Sequence, residues 1–137
     1  AAPSGSAGGS PDFWRGKVLA PYSGDELVYN ATLGDWRTHN GVDVAAAAGE
    51  KVPAVRAGHV TLVDADALWG GVVEVCDAGG RVWRYCGVDG SCVVGDAVAA
   101  GDVLGTAGAI PAEADLDGHV HLECLEDGSS WVEPGIK

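Results

Sequence analysis

A chain of 137 residues, 47% of them apolar, is long enough to form one domain with a hydrophobic core but not two. Its formal net charge of −12 opposes binding to nucleic acid or to an anionic membrane surface through simple electrostatics. The sequence has no apolar run near the roughly 18 residues that a membrane-spanning helix needs, and it shows no signal peptide. These observations indicate a single domain whose partners are neither nucleic acid nor an anionic membrane surface.

The first twelve residues are small and polar, and Gly, Ser, Ala and Pro dominate them. This composition predicts a flexible linker over residues 1–12 and a domain over residues 13–137. A chain that begins in a linker is expected to be a fragment or a processed form. Any export signal or membrane anchor would then lie upstream of it.

The remainder of the chain has short segments rich in Val and aromatic residues, separated by turns that contain glycine. This spacing predicts an antiparallel, all-β domain. The stretch DAGG at 77–80 predicts a hairpin turn, and residues 24–36 have room for one irregular helical turn. No strand alternates with a long helix, which argues against a doubly wound α/β fold. The predicted strand segments are 16–22, 51–64, 70–77, 81–87, 96–108 and 118–127.

Three of the four histidines occur in two suggestive pairs. His39 precedes Asp43 by four residues across a glycine-containing turn. His119 and His121 are two apart on a predicted strand, so both imidazoles project from one face while Val120 and Leu122 point to the core.

These side chains have the chemistry of a zinc site. Catalytic zinc sites use three protein ligands and leave a fourth position for water. His39, Asp43 and one histidine of the pair complete such a set, and the other histidine would act as an acid or base beside the water. Each pair also occurs by chance in proteins without a metal. His59 has no suitable neighbour and is predicted to be a surface residue on a strand.

Four cysteines, at positions 76, 86, 92 and 124, include no Cys-x-x-Cys pair, which argues against a zinc knuckle. Cys86 and Cys92 flank a short loop and are the best candidates for a disulfide bond. Free buried thiols are the alternative, and the sequence leaves both open.

The segments RTHNGVDV and GHVHLE, joined by GEKVPAVRAGHV and VVGDAVAAGDVLGTAG, resemble the LytM or lysostaphin-type zinc peptidases, which cleave peptide cross-links of peptidoglycan. The resemblance runs from about residue 14 to residue 134. It implies antiparallel sheets that form an open groove. It also implies zinc held by His39, Asp43 and His121, with His119 as a catalytic histidine.

The segments ELVYNATLGDWRTHNGVDV and ALWGGVVEV resemble one branch of that family most closely, the stage II sporulation protein Q branch. That likeness implies an exported bacterial protein outside the cytoplasm, in the forespore membrane facing the intermembrane space. The implied partner is a protein resembling stage III sporulation protein AH, or a peptidoglycan peptide.

One position departs from the family pattern. Family peptidases carry a further histidine two residues after a strand tyrosine, and here Tyr85 is followed by Cys86 and Gly87. Residues 60–118 contain no histidine at all. Because a positioned acid or base contributes about 10² to 10⁴ in rate, the resemblance implies a weak or inactive peptidase that retains zinc. Tyr85 or Cys86 is a possible substitute hydrogen-bond donor.

Three functions therefore remain open. The domain is a binding module whose zinc holds the groove in shape, an active zinc metalloendopeptidase that cleaves peptidoglycan cross-links, or a β-domain that binds metal only adventitiously.

Overall fold

The computed structural model describes residues 13–15, 18–114, 118–127, 130–132 and 134. The predicted linker over residues 1–12 lies outside the described residues. Within the described ranges, the helices are short 3-10 turns at Phe13–Arg15 and Pro111–Glu113. No helix among these residues is long and apolar enough to cross a membrane.

The described residues form thirteen β-strands. They are β1 (Val18–Ala20), β2 (Val28–Asn30), β3 (Asp35–Arg37), β4 (Val42–Ala45), β5 (Lys51–Pro53), β6 (Gly58–Asp66), β7 (Gly70–Asp77), β8 (Val82–Cys86), β9 (Val88–Gly90), β10 (Ala97–Val98), β11 (Val103–Ala107), β12 (His119–Glu126) and β13 (Ser130–Val132).

These strands pair antiparallel throughout. The main sheet has the order β1-β4-β12-β8-β7-β6-β10, with β13 on β12. A second sheet has the order β5-β11-β9, and β2 and β3 form a separate hairpin. The predicted all-β, antiparallel fold is confirmed, as is the hairpin turn at 77–80 between β7 and β8.

The hydrophobic core joins the main sheet to the three-stranded sheet. Side chains of β5, β9 and β11 belong to the same buried cluster as one face of the main sheet. We call this face the core face; on its central strands it comprises Val73, Val75, Trp83, Tyr85, Val120, Leu122 and Cys124. We call the opposite face the groove face; on the same strands it comprises Val72, Glu74, Arg84, Cys86, His119, His121 and Glu123.

The segment 24–36 differs from its predicted form. It folds into the β2–β3 hairpin, and the expected helical turn is reduced to the hairpin tip, where the Gly34 N–H donates to the Asn30 carbonyl oxygen at 2.7 Å. Valine and tyrosine on one arm and a tryptophan on the other favour pairing over a helix. Tyr29 and Trp36 pack edge to face on the hairpin with 5.5 Å between ring centroids, and both remain exposed.

Of the two alternatives that the sequence leaves open for Cys86 and Cys92, the structure has free thiols. Cys86 lies on the groove face, whereas Cys92 follows β9 and packs against the core. The chain leaves the main sheet between them to join the three-stranded sheet. The two sulfur atoms are therefore on opposite sides of the main sheet.

Candidate metal centre

Asp43 and His121 lie side by side on neighbouring strands of the main sheet. They are direct partners in the β4–β12 register, so their side chains project from the same face. Asp43 Oδ1 is 2.7 Å from His121 Nδ1, and both side chains are fully buried. The sheet register thus joins two residues that are 78 positions apart.

Gly41 lets the loop before β4 pass close to His121. A Cβ atom at position 41 would lie 2.8 Å from His121 Nε2 and would also overlap the carbonyl oxygen of Leu122. Only glycine permits this approach. The glycine between His39 and Asp43 is therefore required by the packing of the site.

His39 reaches the site from the loop that precedes β4. Its backbone N–H donates to Ser23 Oγ at 2.6 Å, which fixes the position of the residue. Its ring Nδ1 lies 2.8 Å from the carbonyl oxygen of Pro21. Because a carbonyl oxygen only accepts, Nδ1 carries a proton, which leaves Nε2, on the side of Asp43 and Glu113, as the ring atom that would bind a metal.

Glu123 orients His121 in the same manner. His121 Nε2 lies 3.0 Å from Glu123 Oε2, so Nε2 donates to the carboxylate and Nδ1 faces Asp43. The Trp69 ring stacks on the imidazole, with 4.5 Å between centroids. An outer acceptor that fixes the tautomer and the ring orientation is typical of histidines that bind metals.

The spacing of His39 and Asp43 fits a metal ion such as zinc. Donor atoms of a tetrahedral site with bonds of about 2.0–2.1 Å lie about 3.3 Å apart. His39 Nε2 lies 3.1 Å from Asp43 Oδ2, near that value. Within the described part of the chain, Asp43 Oδ2 accepts no hydrogen bond although it is buried. A buried carboxylate oxygen without a donor calls for a cation.

Glu113, which the sequence analysis did not identify, completes the cluster. Its Oε2 lies 3.0 Å from His39 Nε2, and its Oε1 lies 2.9 Å from His119 Nε2. Candidate ligand atoms of His39, Asp43, Glu113 and His121 all lie within 4.8 Å of one another. The structure thus brings together the three predicted ligands, the predicted catalytic histidine and one further carboxylate.

The electrostatic field of the cluster favours positive charge. Burial alone would lower the pKa of His39, but the Asp43 and Glu113 carboxylates raise it to about 9. Burial likewise opposes a charged His121, whose pKa nevertheless rises well above its ordinary value beside Asp43, Glu113 and Glu123. The pKa of Glu113 falls in spite of its burial, because three imidazoles surround it. The same field would stabilise a bound cation.

The predicted open groove lies over the groove face, beside this cluster. A cleft of about 300 Å³ is lined by Asp64, Trp69, Glu74, Arg84 and Cys86, among others. Arg84 pairs with Glu74 at 2.8 Å and with Glu123 at 3.0 Å. A second depression of about 220 Å³ lies against His119 and Glu113. The cluster is therefore flanked by open space on both sides.

Residues 37–134 match the model of peptidase family M23, which is more than half of the chain. The chain belongs to peptidase family M23. The predicted LytM or lysostaphin-type resemblance is thus confirmed. Among proteins with curated descriptions, the sequence has no match.

Solved structures of similar fold include both peptidases and a pore-forming complex. A chain of the SpoIIQ–SpoIIIAH pore-forming complex matches this M23 chain with a TM-score of 0.76 and 25% identity, over 93% of this chain and 87% of that one. The catalytic domain of lysostaphin from Staphylococcus simulans matches with a TM-score of 0.72 and 22% identity, over 92% and 95% of the two chains. A zinc-containing peptidase from Vibrio cholerae matches with a TM-score of 0.74 and 21% identity, over 92% of this chain and 37% of that one.

A side chain at Gly87, where the resemblance leads one to expect a histidine, would collide with the side chain of Ile110 in this M23 domain. Its φ is +79°, and a Cβ atom there would lie 2.5 Å from Ile110 Cγ1. Ile110 is buried at 5% exposure. The space beside the backbone of Gly87 is therefore filled by an apolar side chain.

Neither neighbour of Gly87 substitutes for the histidine. The Tyr85 side chain lies in the core, and its hydroxyl accepts a hydrogen bond from the Val55 N–H at 2.9 Å. Cys86 lies on the groove face, but burial raises the pKa of its thiol, which keeps it protonated. The structure gives neither side chain a hydrogen bond with the described residues of the cluster.

Sequence signals for the missed residues differ in strength. Glu123 follows His121 by two residues, so strand alternation already predicts it on the histidine face. Glu113 lies on a 3-10 turn after Pro111, six residues before His119, and no motif spacing indicates it. His59 is an exposed residue of β6, as predicted.

Proposed function

We propose that this M23 domain binds one zinc ion through His39, Asp43 and His121, and that it serves as a binding module with weak or absent peptidase activity. The observation that carries the proposal is the convergence of these three side chains, with Asp43 Oδ2 buried and accepting no hydrogen bond from the described residues, next to a Gly87 position filled by Ile110. Bound zinc would act as a Lewis acid and would tie the loop before β4, which carries His39, to β12, which carries His121.

The partner in this proposal is a protein resembling SpoIIIAH or a peptide of peptidoglycan. The similarity to a chain of the SpoIIQ–SpoIIIAH complex supports the first choice. The exposed Tyr29 and Trp36 on the β2–β3 hairpin also support it, because exposed aromatic side chains favour protein contacts. By the same resemblance, the domain belongs to an exported bacterial protein and faces the intermembrane space at the forespore membrane.

An active zinc metalloendopeptidase that cleaves peptidoglycan cross-links is the second candidate. His119 favours it, since its Nε2 lies 3.7 Å from Asp43 Oδ1 and so stands at the edge of the metal cluster. In this function His119 would hold or transfer a proton beside the metal.

The zinc content of the purified protein tests whether the domain binds this metal. We expect about one zinc per chain in the purified protein and a lower melting temperature after chelation, because an ion bound only by the folded state stabilises it. His121→Ala should abolish both effects. His59→Ala is the matched control, since His59 is exposed on β6, away from the site. A wild-type protein that stays metal-free in excess zinc would contradict the proposal.

Digestion of purified peptidoglycan separates the two candidates. We expect the zinc-loaded wild type to release few or no peptides. Measurable release that disappears in His119→Ala would establish the peptidase instead.

A further inference from the structure

The loop of residues 108–114, between β11 and β12, provides both Ile110 and Glu113. We call it the 108–114 loop. Ile110 fills the space beside Gly87, and Glu113 points its carboxylate into the metal cluster. One short segment thus supplies both the apolar side chain beside Gly87 and a carboxylate of the cluster.

The carboxylate of Glu113 lies close to two of the proposed ligands. Glu113 Oε2 is 3.0 Å from His39 Nε2, and Oε1 is 3.5 Å from His121 Nδ1. Two donors of one tetrahedral zinc ion lie about 3.3 Å apart. A general base would instead stand one hydrogen bond, about 2.6–3.2 Å, beyond a bound water. The observed spacing matches a ligand.

His119 is held by the same carboxylate. Its Nε2 lies 2.9 Å from Glu113 Oε1, and its side chain is only 4% exposed. A histidine bonded to a ligand carboxylate is an outer support that orients the ligand. His119 thereby positions Glu113, which gives it a structural task in place of proton transfer.

Backbone hydrogen bonds fix the 108–114 loop to the rest of the domain. The Gly108 N–H donates to the Gly87 carbonyl oxygen at 2.7 Å, and the Ala112 N–H donates to the Leu68 carbonyl oxygen at 2.8 Å. Asn30 Nδ2 donates to the Ala112 carbonyl oxygen at 3.3 Å. Since folding already orders the loop, Glu113 loses little further conformational entropy on binding a metal.

We propose that Glu113 is the fourth protein ligand of the metal ion, which makes this a closed metal centre of the structural type. Four protein ligands distinguish structural zinc sites from catalytic ones, which keep a position for water. The inference rests on the proposed function, because it needs a metal on His39, Asp43 and His121.

Cobalt substitution tests the proposal without relying on activity. Co²⁺ replaces zinc in the wild type, Glu113→Ala and Glu113→Gln, and visible absorption spectra are recorded while azide is added. We expect azide to leave the wild-type spectrum unchanged and to alter the spectra of both variants, which have a free coordination position. Zinc affinity should fall by at least about 100-fold, since the loss of even an outer-shell partner typically costs 10–100-fold.

The controls separate loss of a ligand from loss of the fold. Glu113→Gln keeps the shape of the side chain, and far-ultraviolet circular dichroism shows whether each variant is folded. Glu26→Ala removes an exposed carboxylate outside the cluster and should change neither the azide response nor the zinc affinity.

The outcomes that contradict the inference are distinct from those that contradict the proposed function. A wild-type spectrum that responds to azide, or folded Glu113 variants with unchanged zinc affinity, would overturn the fourth ligand and leave the three-ligand site intact. Peptide release that is lost in Glu113→Gln while zinc affinity is kept would make Glu113 a general base instead. A wild type that binds no metal would overturn both.

Discussion

Alternate residues of β12 face two different environments. Val120 and Leu122 lie on the core face, His119 and His121 lie on the groove face, and all four are at most 4% exposed. On the core face, burial of apolar groups is itself favourable. On the groove face, burial of imidazoles and carboxylates is unfavourable unless each polar atom has a partner.

The two faces also differ in how their polar atoms are satisfied. On the core face, the Tyr85 hydroxyl accepts from the Val55 N–H, so hydrogen bonds within the protein suffice. On the groove face, Asp43 Oδ2 accepts no hydrogen bond from the described residues. Packing therefore sets the stability of the core face, whereas the groove face keeps a buried carboxylate oxygen that a cation would satisfy. Substitutions on the core face should therefore change mainly the free energy of unfolding, and substitutions on the groove face mainly the affinity for the metal.

The largest expected effect is on the core face, from Leu122→Ala. Leu122 is fully buried, and such truncations reduce the free energy of unfolding by about 2–5 kcal/mol. Urea denaturation measures this loss, and zinc bound per folded chain should stay unchanged. Leu68→Ala, at a leucine that is 50% exposed, is the control. If folded Leu122→Ala protein loses its zinc, the two faces are coupled and do not contribute separately to stability and to metal binding.

Gly87→His tests whether the lost histidine can simply be restored. We expect a loss of about 2–4 kcal/mol in the free energy of unfolding, because overpacking against Ile110 adds to the strain of a side chain at positive φ. Adding Ile110→Ala to Gly87→His should recover the part of this loss that comes from overpacking. Peptide release should not rise above the wild-type level while Glu113 is present.

Gly80→His is a matched control for this substitution. Gly80 has a similar φ of +86°, and a Cβ atom there meets nothing within 4 Å. The difference between the two variants therefore measures crowding by Ile110 alone. A Gly87→His protein as stable as Gly80→His would show that the space beside residue 87 is open.

Glu123→Gln tests the outer support of the metal centre. Glu123 accepts from His121 Nε2 and also from Trp131 Nε1 at 2.9 Å. Weakening an outer acceptor typically lowers metal affinity by about 10–100-fold, which a competition titration with a chelator measures. Glu126→Gln on the same strand is the control, because Glu126 is exposed. Equal zinc affinities in the two variants would remove Glu123 from the site.

The sequence predicts well those features of the site that depend on one strand or one short turn. Strand alternation places His119 and His121 opposite Val120 and Leu122, and this pattern is local to one strand. The Gly41-containing turn between His39 and Asp43 is local as well. For these residues, periodicity and short spacing are sufficient, because a strand has only two faces.

Features set by contacts between remote segments were missed. Glu113 reaches the cluster because the 108–114 loop is bonded to Gly87 and Leu68, and no spacing within the loop encodes those bonds. The missing histidine at Gly87 was predicted, but its replacement by Ile110 depends on packing across the fold. The β2–β3 hairpin was missed because its strands are only three residues long.

The smallest expected effect concerns Asp77, a polar residue in the hairpin at the edge of the core face. Burial would raise the pKa of Asp77, but hydrogen bonds from Trp83 Nε1 and from the N–H groups of Arg81 and Gly79 outweigh it and lower the pKa. A carboxylate with a lowered pKa stabilises the fold above its unfolded pKa of about 3.9, and this contribution is lost as the pH falls through the folded value. Asp77→Ala should therefore cost about 1 kcal/mol at neutral pH, the size of a typical net hydrogen-bond contribution.

Urea denaturation of wild type and Asp77→Ala between pH 7 and pH 3 measures this difference. The difference should narrow as the pH falls below about 4, since protonation weakens the same bonds in the wild type. Asp25→Ala, at an exposed aspartate, should show no such change. Because both proteins keep the metal cluster, loss of metal in acid affects them equally and cancels in the difference. The difference in the free energy of unfolding between wild type and Asp77→Ala would stay constant with pH if the charge of Asp77 contributed nothing to stability. Packing alone would then hold the polar groups on the core face in place.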